Sequence, residues 1–220
     1  MAPDGTVSEV PFKYGVSNPT ALAVNPEGTV YVAKTLDGPS PRIYTMSVNG
    51  TQSYIDVPEL HAPTDLRFDS VGNLYVVDSW NNRIVRIKPG GIQETIPPGN
   101  LDRPYAVHVD AVGTITVSNR APGAGITRYT AAGVQTTIPL TGLDEPTGLD
   151  YDMDGNLYVA QSGTGPLGPR VIKYTPDGVQ SNVAFPLNSP DALYKPMGIC
   201  VRDGFLYVAD QVYGILKQAI

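Results

Sequence analysis

A phrase recurs five times along this chain, and recurrence at a fixed interval constrains a fold more than any local motif. Its markers are Pro19, Pro63, Pro104, Pro146 and Pro196, spaced 41 to 50 residues apart. Each proline opens an alternating apolar stretch, a glycine-containing turn and a second alternating stretch, as in PTDLRFDSVGNLYVVD from Pro63 and PTGLDYDMDGNLYVAQ from Pro146. The turn glycines are Gly28, Gly72, Gly113, Gly155 and Gly204; a tyrosine follows at Tyr31, Tyr75, Tyr158 and Tyr207, with Thr116 in its place in the third repeat. Period-two alternation bounded by turn formers reads as paired strands. A third and a fourth strand follow in each repeat, NRIVRIK and IQETIPP in the second. The fifth repeat stops after its third strand at Ile220, while the stretch from Pro3 to Phe12 nearly duplicates the fourth strand from Pro176 to Phe185. The expectation is one all-β domain over residues 1–220: a five-bladed β-propeller of four-stranded antiparallel blades. Residues 3–12 are expected to complete the last blade against Gly214–Ile220 and so close the ring.

The remaining composition agrees. The chain has 23 glycines and 21 prolines, spread evenly between apolar stretches, which suits many short strands and not disorder. A net charge of −6 without a basic cluster speaks against nucleic acid as a partner. Cys200 is the single cysteine, so neither an internal disulfide nor a cysteine-based zinc site is available. No stretch approaches transmembrane length, and no membrane insertion is expected. A monomer without a cofactor is expected, and an extracytoplasmic location is compatible with the sequence.

One segment, Asp150-Tyr-Asp-Met-Asp-Gly155, starts like a calcium-binding loop. The calcium pattern also needs a bidentate glutamate at its twelfth position, where this chain has Gln161, and two flanking helices. In the repeat, Asp152–Gly155 fills the slot of Asp69–Gly72, so it is read as a hairpin turn and no metal site is expected.

Chemistry is sought on the innermost strands. The third and fifth residues after each proline are apolar, so the second and fourth share the other side. That side carries only small residues in the first blade, and Gly198 and Cys200 in the fifth, but Asp65, Arg67, His108 and Asp150 in the second to fourth. They read either as a ligand site, with Arg67 offering a fork of donors and His108 a titratable group, or as a structural network in which Arg67 is paired with Asp65 or Asp150. A second set lies on loops: Trp80, the only tryptophan, with Tyr105 and Tyr213, where an aromatic rim suits a sugar, peptide or flat ligand. Arg120 and Tyr194 lie in comparable loops, and His61 reads as a solvated loop residue.

The segments resemble NHL repeats, most closely those of the extracellular sensor propellers of actinobacterial receptor Ser/Thr kinases. The likeness is carried by Thr137-Ile-Pro-Leu-Thr-Gly-Leu-Asp-Glu-Pro-Thr-Gly148, Gly72-Asn-Leu-Tyr-Val-Val-Asp78 and Asn81-Asn-Arg-Ile84, and it extends over all 220 residues. Such propellers commonly have six blades, so five repeats are a departure. Propellers of this kind serve as ligand sensors, protein- or RNA-binding modules and lyases, so the resemblance bears on fold more than on function. The expected function is a non-catalytic binding module of sensor or recognition type, taking a small polar molecule, a carbohydrate or a peptide or protein at the channel mouth. The alternative is a small hydrolase or lyase using His108, Asp150 and Arg67; a third reading is a scaffold, natural or engineered, without a ligand. Amidating-lyase relatives bind zinc through three histidines, whereas this chain has only His61 and His108. A serine triad would lack its G-x-S-x-G elbow. A lactonase-like calcium site would have to draw on Asp65 or Asp150 with Asn119.

Overall fold

The computed structural model describes residues 11, 12, 16, 18–35, 42–96, 101–123, 125–185 and 193–220. They form a five-bladed β-propeller. The first blade holds β1 (Pro19–Val24), β2 (Val30–Lys34), β3 (Arg42–Met46) and β4 (Gln52–Asp56); the second holds β5 (Pro63–Phe68), β6 (Leu74–Asp78), β7 (Arg83–Ile87) and β8 (Gln93–Thr95). The third comprises β9 (Pro104–Val109), β10 (Ile115–Asn119), β11 (Ile126–Tyr129) and β12 (Gln135–Ile138); the fourth comprises β13 (Pro146–Tyr151), β14 (Leu157–Gln161), β15 (Arg170–Tyr174) and β16 (Gln180–Val183). The fifth has β17 (Pro196–Arg202), β18 (Phe205–Asp210) and β19 (Gly214–Ala219), three strands among the described residues. Every blade is antiparallel in sequence order.

The marker prolines start the innermost strands because a residue without an N–H fits where the ladder has not begun. A register shift follows each of them in the inner pair, for instance between Pro63 and Asp65. In four blades the preceding residue takes a left-handed conformation: Asn18, Ala62, Arg103 and Glu145 have φ of 48 to 52°. The incoming loop is then tied down by a polar side chain at or near the end of the second strand. Asp78 Oδ1 accepts the His61 N–H, Asn119 Oδ1 that of Asp102, Gln161 Oε1 that of Asp144, and Asp210 Oδ2 that of Lys195. All four side chains are buried, and each is satisfied by a backbone group that would otherwise go unpaired.

The turns between first and second strands share a second device. Asp69 Oδ1 accepts the N–H groups of Val71 and Asn73, and its Oδ2 accepts from Asn73 Nδ2 and the Tyr75 hydroxyl. Asp152 does the same with Asp154, Asn156 and Tyr158. Burial pushes the Asp152 carboxyl up, but the hydrogen bonds from Asn156, Tyr158 and Asp154 outweigh it and leave the pKa below the ordinary range. Both its oxygens are therefore engaged by the turn itself. The glycine at φ 81° in Asp152–Gly155 is what lets that turn close.

The core is divided among the junctions between successive blades. Leu66 and Val76 pack with Ala33 and Ile43, Val107 with Tyr75 and Val77, Leu149 with Ile126, and Ile199 with Tyr158 and Ala160. The inner-strand residue three after each proline thus faces the preceding blade. Blade one departs from this: Leu22 is 61% exposed and Val24 51% exposed, and on blade five Ile215 is 71% exposed where its counterparts Ile84 and Ile126 are buried. Most of the expected closing strand, residues 3–10, lies outside the described residues. Pro11 is described, and its carbonyl accepts from Gln52 Nε2 at 2.8 Å. Gln93 makes the same bond to the Asp56 carbonyl at the end of the preceding outer strand, and Gln180 to the Thr141 carbonyl. Pro11 thus stands where an outer strand of a preceding blade would finish. No described helix is long and apolar enough to cross a membrane.

Candidate functional site

Antiparallel order puts the two ends of the ring in different hands. One face collects the loops that enter the first strands and leave the second, including the 3-10 turn Ser79–Asn81; the other collects the tight turns. The sequence-predicted residues divide accordingly. Trp80 lies on the loop face, 70% exposed, with its ring 5.1 Å from that of the exposed His61. Tyr105 belongs to the start of β9 and stacks under the Arg120 guanidinium at 5.4 Å, while Arg120 is paired with Glu145 at 2.7 Å. Tyr213 and Tyr194, 43% and 62% exposed, lie on loops of the same face.

The inner-strand set comes together around the channel. Arg67, His108, Asp150 and Cys200 each stand four residues after a marker proline on successive blades, and Asp65 lies two residues before Arg67. The two carboxylates are occupied by backbone. Asp65 Oδ1 accepts the Leu66 N–H and its Oδ2 the Val107 N–H of the next blade, both at 2.9 Å. Asp150 accepts the Tyr151 N–H at 3.0 Å and the Val201 N–H of the next blade at 2.9 Å. Inner strands are sheet edges with free N–H groups, and these carboxylates satisfy them across the blade junctions.

Arg67 is not held as the network reading expects. It makes no hydrogen bond or ion pair among the described residues, and its Nε is buried without a partner. His108 Nδ1 is likewise buried and unpartnered, while its Nε2 lies 3.6 Å from Asp150 Oδ1. The imidazole lies tilted against the Tyr151 ring, with centroids 4.9 Å apart, and the Tyr151 hydroxyl reaches Thr116 at 3.2 Å. Burial pushes the pKa of His108 below its ordinary value, with Arg67 adding to this and Asp150 opposing it. Burial lifts the Asp65 carboxyl to about 6 although Arg67 and two N–H groups pull it down. The Cys200 thiol is raised by burial and by Asp150.

Two features were not anticipated from the sequence. A cavity of about 910 Å³ opens on the turn face between blades three, four and five, and His108, Thr116, Arg128, Tyr151 and Tyr174 are among its walls. Trp80, Tyr105 and Tyr213 are not. The inner strands of blades four and five also approach closely: a Cβ on Gly148 would fall 2.6 Å from the Ile199 nitrogen and 2.9 Å from Gly198 Cα. Asn119, the partner envisaged for a lactonase-like calcium site, spends its amide on the Asp102 N–H, the Gly125 carbonyl and Thr127. No cluster of three or more metal-binding side chains occurs among the described residues.

No protein-family description matches the chain, and no curated protein matches it in sequence. Solved structures do. A streptogramin B lyase is 23% identical with a TM-score of 0.73, the match covering 97% of this chain and 69% of that one. Virginiamycin B lyase from Staphylococcus aureus is 19% identical with a TM-score of 0.65, over 92% of this chain and 70% of the lyase. The extracellular domain assigned to a one component system from B. thetaiotaomicron is 13% identical with a TM-score of 0.65, over 91% of this chain and 27% of that one. At these identities the likeness is one of fold.

Proposed function

We propose that this chain is a ligand-binding propeller module of recognition type, with its ligand admitted from the turn face and held against the channel at His108. The observation that carries the reading is the cavity of about 910 Å³ ending on an imidazole whose Nδ1 is buried without a partner. A pocket of that size, with mixed apolar and polar walls that include Tyr151, Tyr174, Arg128 and Arg202, suits a small organic molecule that carries polar groups. The sensor role suggested by the NHL-like repeats is compatible with it, and so is the likeness to an extracellular domain.

A second reading, a lyase or hydrolase, is favoured by one specific contact. His108 Nε2 at 3.6 Å from Asp150 Oδ1 is an imidazole beside a carboxylate, the arrangement a general base needs once a substrate tightens it. Two of the similar structures are lyases. Saturation-transfer NMR against a library of small metabolites tests both. Ligands bound by the parent protein and lost in His108→Ala support the turn-face cavity. Ligands indifferent to His108→Ala but lost in Trp80→Ala would move recognition to the loop face and overturn the proposal. Conversion of a bound ligand to product, abolished by His108→Ala, would favour the enzyme.

A further inference from the structure

We infer that the channel layer formed by Arg67 and His108 takes an anionic group, a carboxylate or a phosphate, and takes it together with a proton. This rests on the channel being the ligand end of the module and adds the chemistry of what the ligand must carry.

This layer holds donors without acceptors. A guanidinium offers five N–H groups in a fixed fork suited to carboxylate and phosphate oxygens. Among the described residues, three arginines have a buried Nε without a partner. Two of them place another nitrogen well: Arg86 binds Glu94, and Arg170 donates to the Gly142 carbonyl at 2.8 Å. Arg67 alone of the three has no hydrogen bond or ion pair among the described residues. The carboxylates next to it are turned to the backbone: each oxygen of Asp65 and Asp150 accepts an N–H, and none of them accepts from Arg67. One blade along, His108 adds a second buried nitrogen without a partner. A buried donor left unpaired is costly. An oxyanion between these two side chains would satisfy both.

Charge then requires the proton. One guanidinium faces two carboxylates, so an anion arriving with both ionised meets a net negative surround. The titratable and charged groups that act on this layer are Asp65, Asp150, Arg67, His108 and Cys200, with Asp110 near His108 and Arg202 near Cys200. Asp65 already holds its proton up to about 6. A bound anion favours the protonated forms of Asp65 and His108, and by reciprocity their protonation favours the anion. Binding therefore tightens as pH falls.

The chain has two histidines, His108 in the channel and His61 on the loop face, so histidine-selective NMR carries its own control. Sodium phosphate and sodium acetate are titrated separately at constant ionic strength into the parent protein, Arg67→Met and Arg67→Lys. The expected result is a saturable shift of His108 with His61 unmoved. It should weaken about tenfold or more in Arg67→Met, and less in Arg67→Lys, which keeps the charge without the fork. Affinity should be several-fold higher at about pH 5.5 than at about pH 8. No movement of His108 by about 50 mM anion, or equal titrations in the parent and both variants, overturns the inference. Parallel, unsaturable drift of both histidines, an adventitious ion only, overturns it as well. A metabolite held equally by the parent and Arg67→Met sinks the anion while leaving the module standing. Saturable phosphate with no organic ligand lost in His108→Ala does the reverse.

Discussion

Leu22 and Leu149 occupy the same place in their blades, three residues after a marker proline, yet one is 61% exposed and the other 1%. The same truncation at the two sites should therefore read out how the junctions differ. Leu149 packs among Ile126, Leu157 and Val159. Truncating it to alanine removes buried methyl groups and leaves a void, so Leu149→Ala should cost about 2–5 kcal/mol. Leu22 has only about two-fifths of its side chain covered. Full burial of a leucine is worth about 1.5–3 kcal/mol, so Leu22→Ala should cost about 1 kcal/mol or less, without a cavity to enlarge it. Urea unfolding followed by far-UV circular dichroism measures both, and comparable m-values license comparing the midpoints. Leu66→Ala, at a third equivalent site that is 3% exposed, should behave like Leu149→Ala. A loss at Leu22 equal to that at Leu149 would refute the reasoning. It would mean that the faces of blades five and one are covered in solution as fully as the four internal junctions.

Two further outcomes follow from the channel. Asp65 has its folded pKa raised from 3.8 to about 6, so the folded protein holds a proton that the unfolded chain has released between those values. That stabilisation is fully present below 3.8 and is lost as pH rises through 6, a swing of about 3 kcal/mol; Asp65→Asn should remove it. Parallel plots of urea midpoint against pH for the parent and the variant would show that Asp65 is not buried as described. Gly148→Ala should cost about 1–3 kcal/mol, since the added methyl meets backbone atoms of Gly198 and Ile199 that no rotamer change can move; a midpoint within error of the parent would mean the two strands can part freely.

Much of this architecture was legible in the sequence because its causes are local. The marker prolines, the turn glycines and the period-two stretches act within a few residues of themselves, and each blade repeats them. The Asp152 turn could be read for the same reason: its partners Asn156 and Tyr158 are four and six residues away. The buried ends of the second strands could have been found too. Asp78, Asn119, Gln161 and Asp210 form a polar column closing otherwise apolar strands, and a polar residue there calls for a partner. What they bind is a loop 15 to 17 residues earlier, and no periodicity points to it. For the channel, strand alternation grouped Asp65, Arg67, His108 and Asp150. It could not tell that both acids would turn to amides of the next blade, some 42 and 51 residues on, rather than to Arg67. Nor could it tell which end of the channel opens into a cavity, because that depends on how closely neighbouring blades approach.

The single tryptophan gives this ring an optical property. Trp80 is exposed on the loop face, beside His61 and away from the cavity walls. Its emission senses only its immediate surroundings, so excitation at the red edge, where tyrosine does not absorb, reports from one face alone. A molecule settling among Tyr151, Tyr174 and His108 leaves that emission unchanged, while one resting on the loops shifts or quenches it. Without any label, the molecule tells an observer which of its two mouths has been filled.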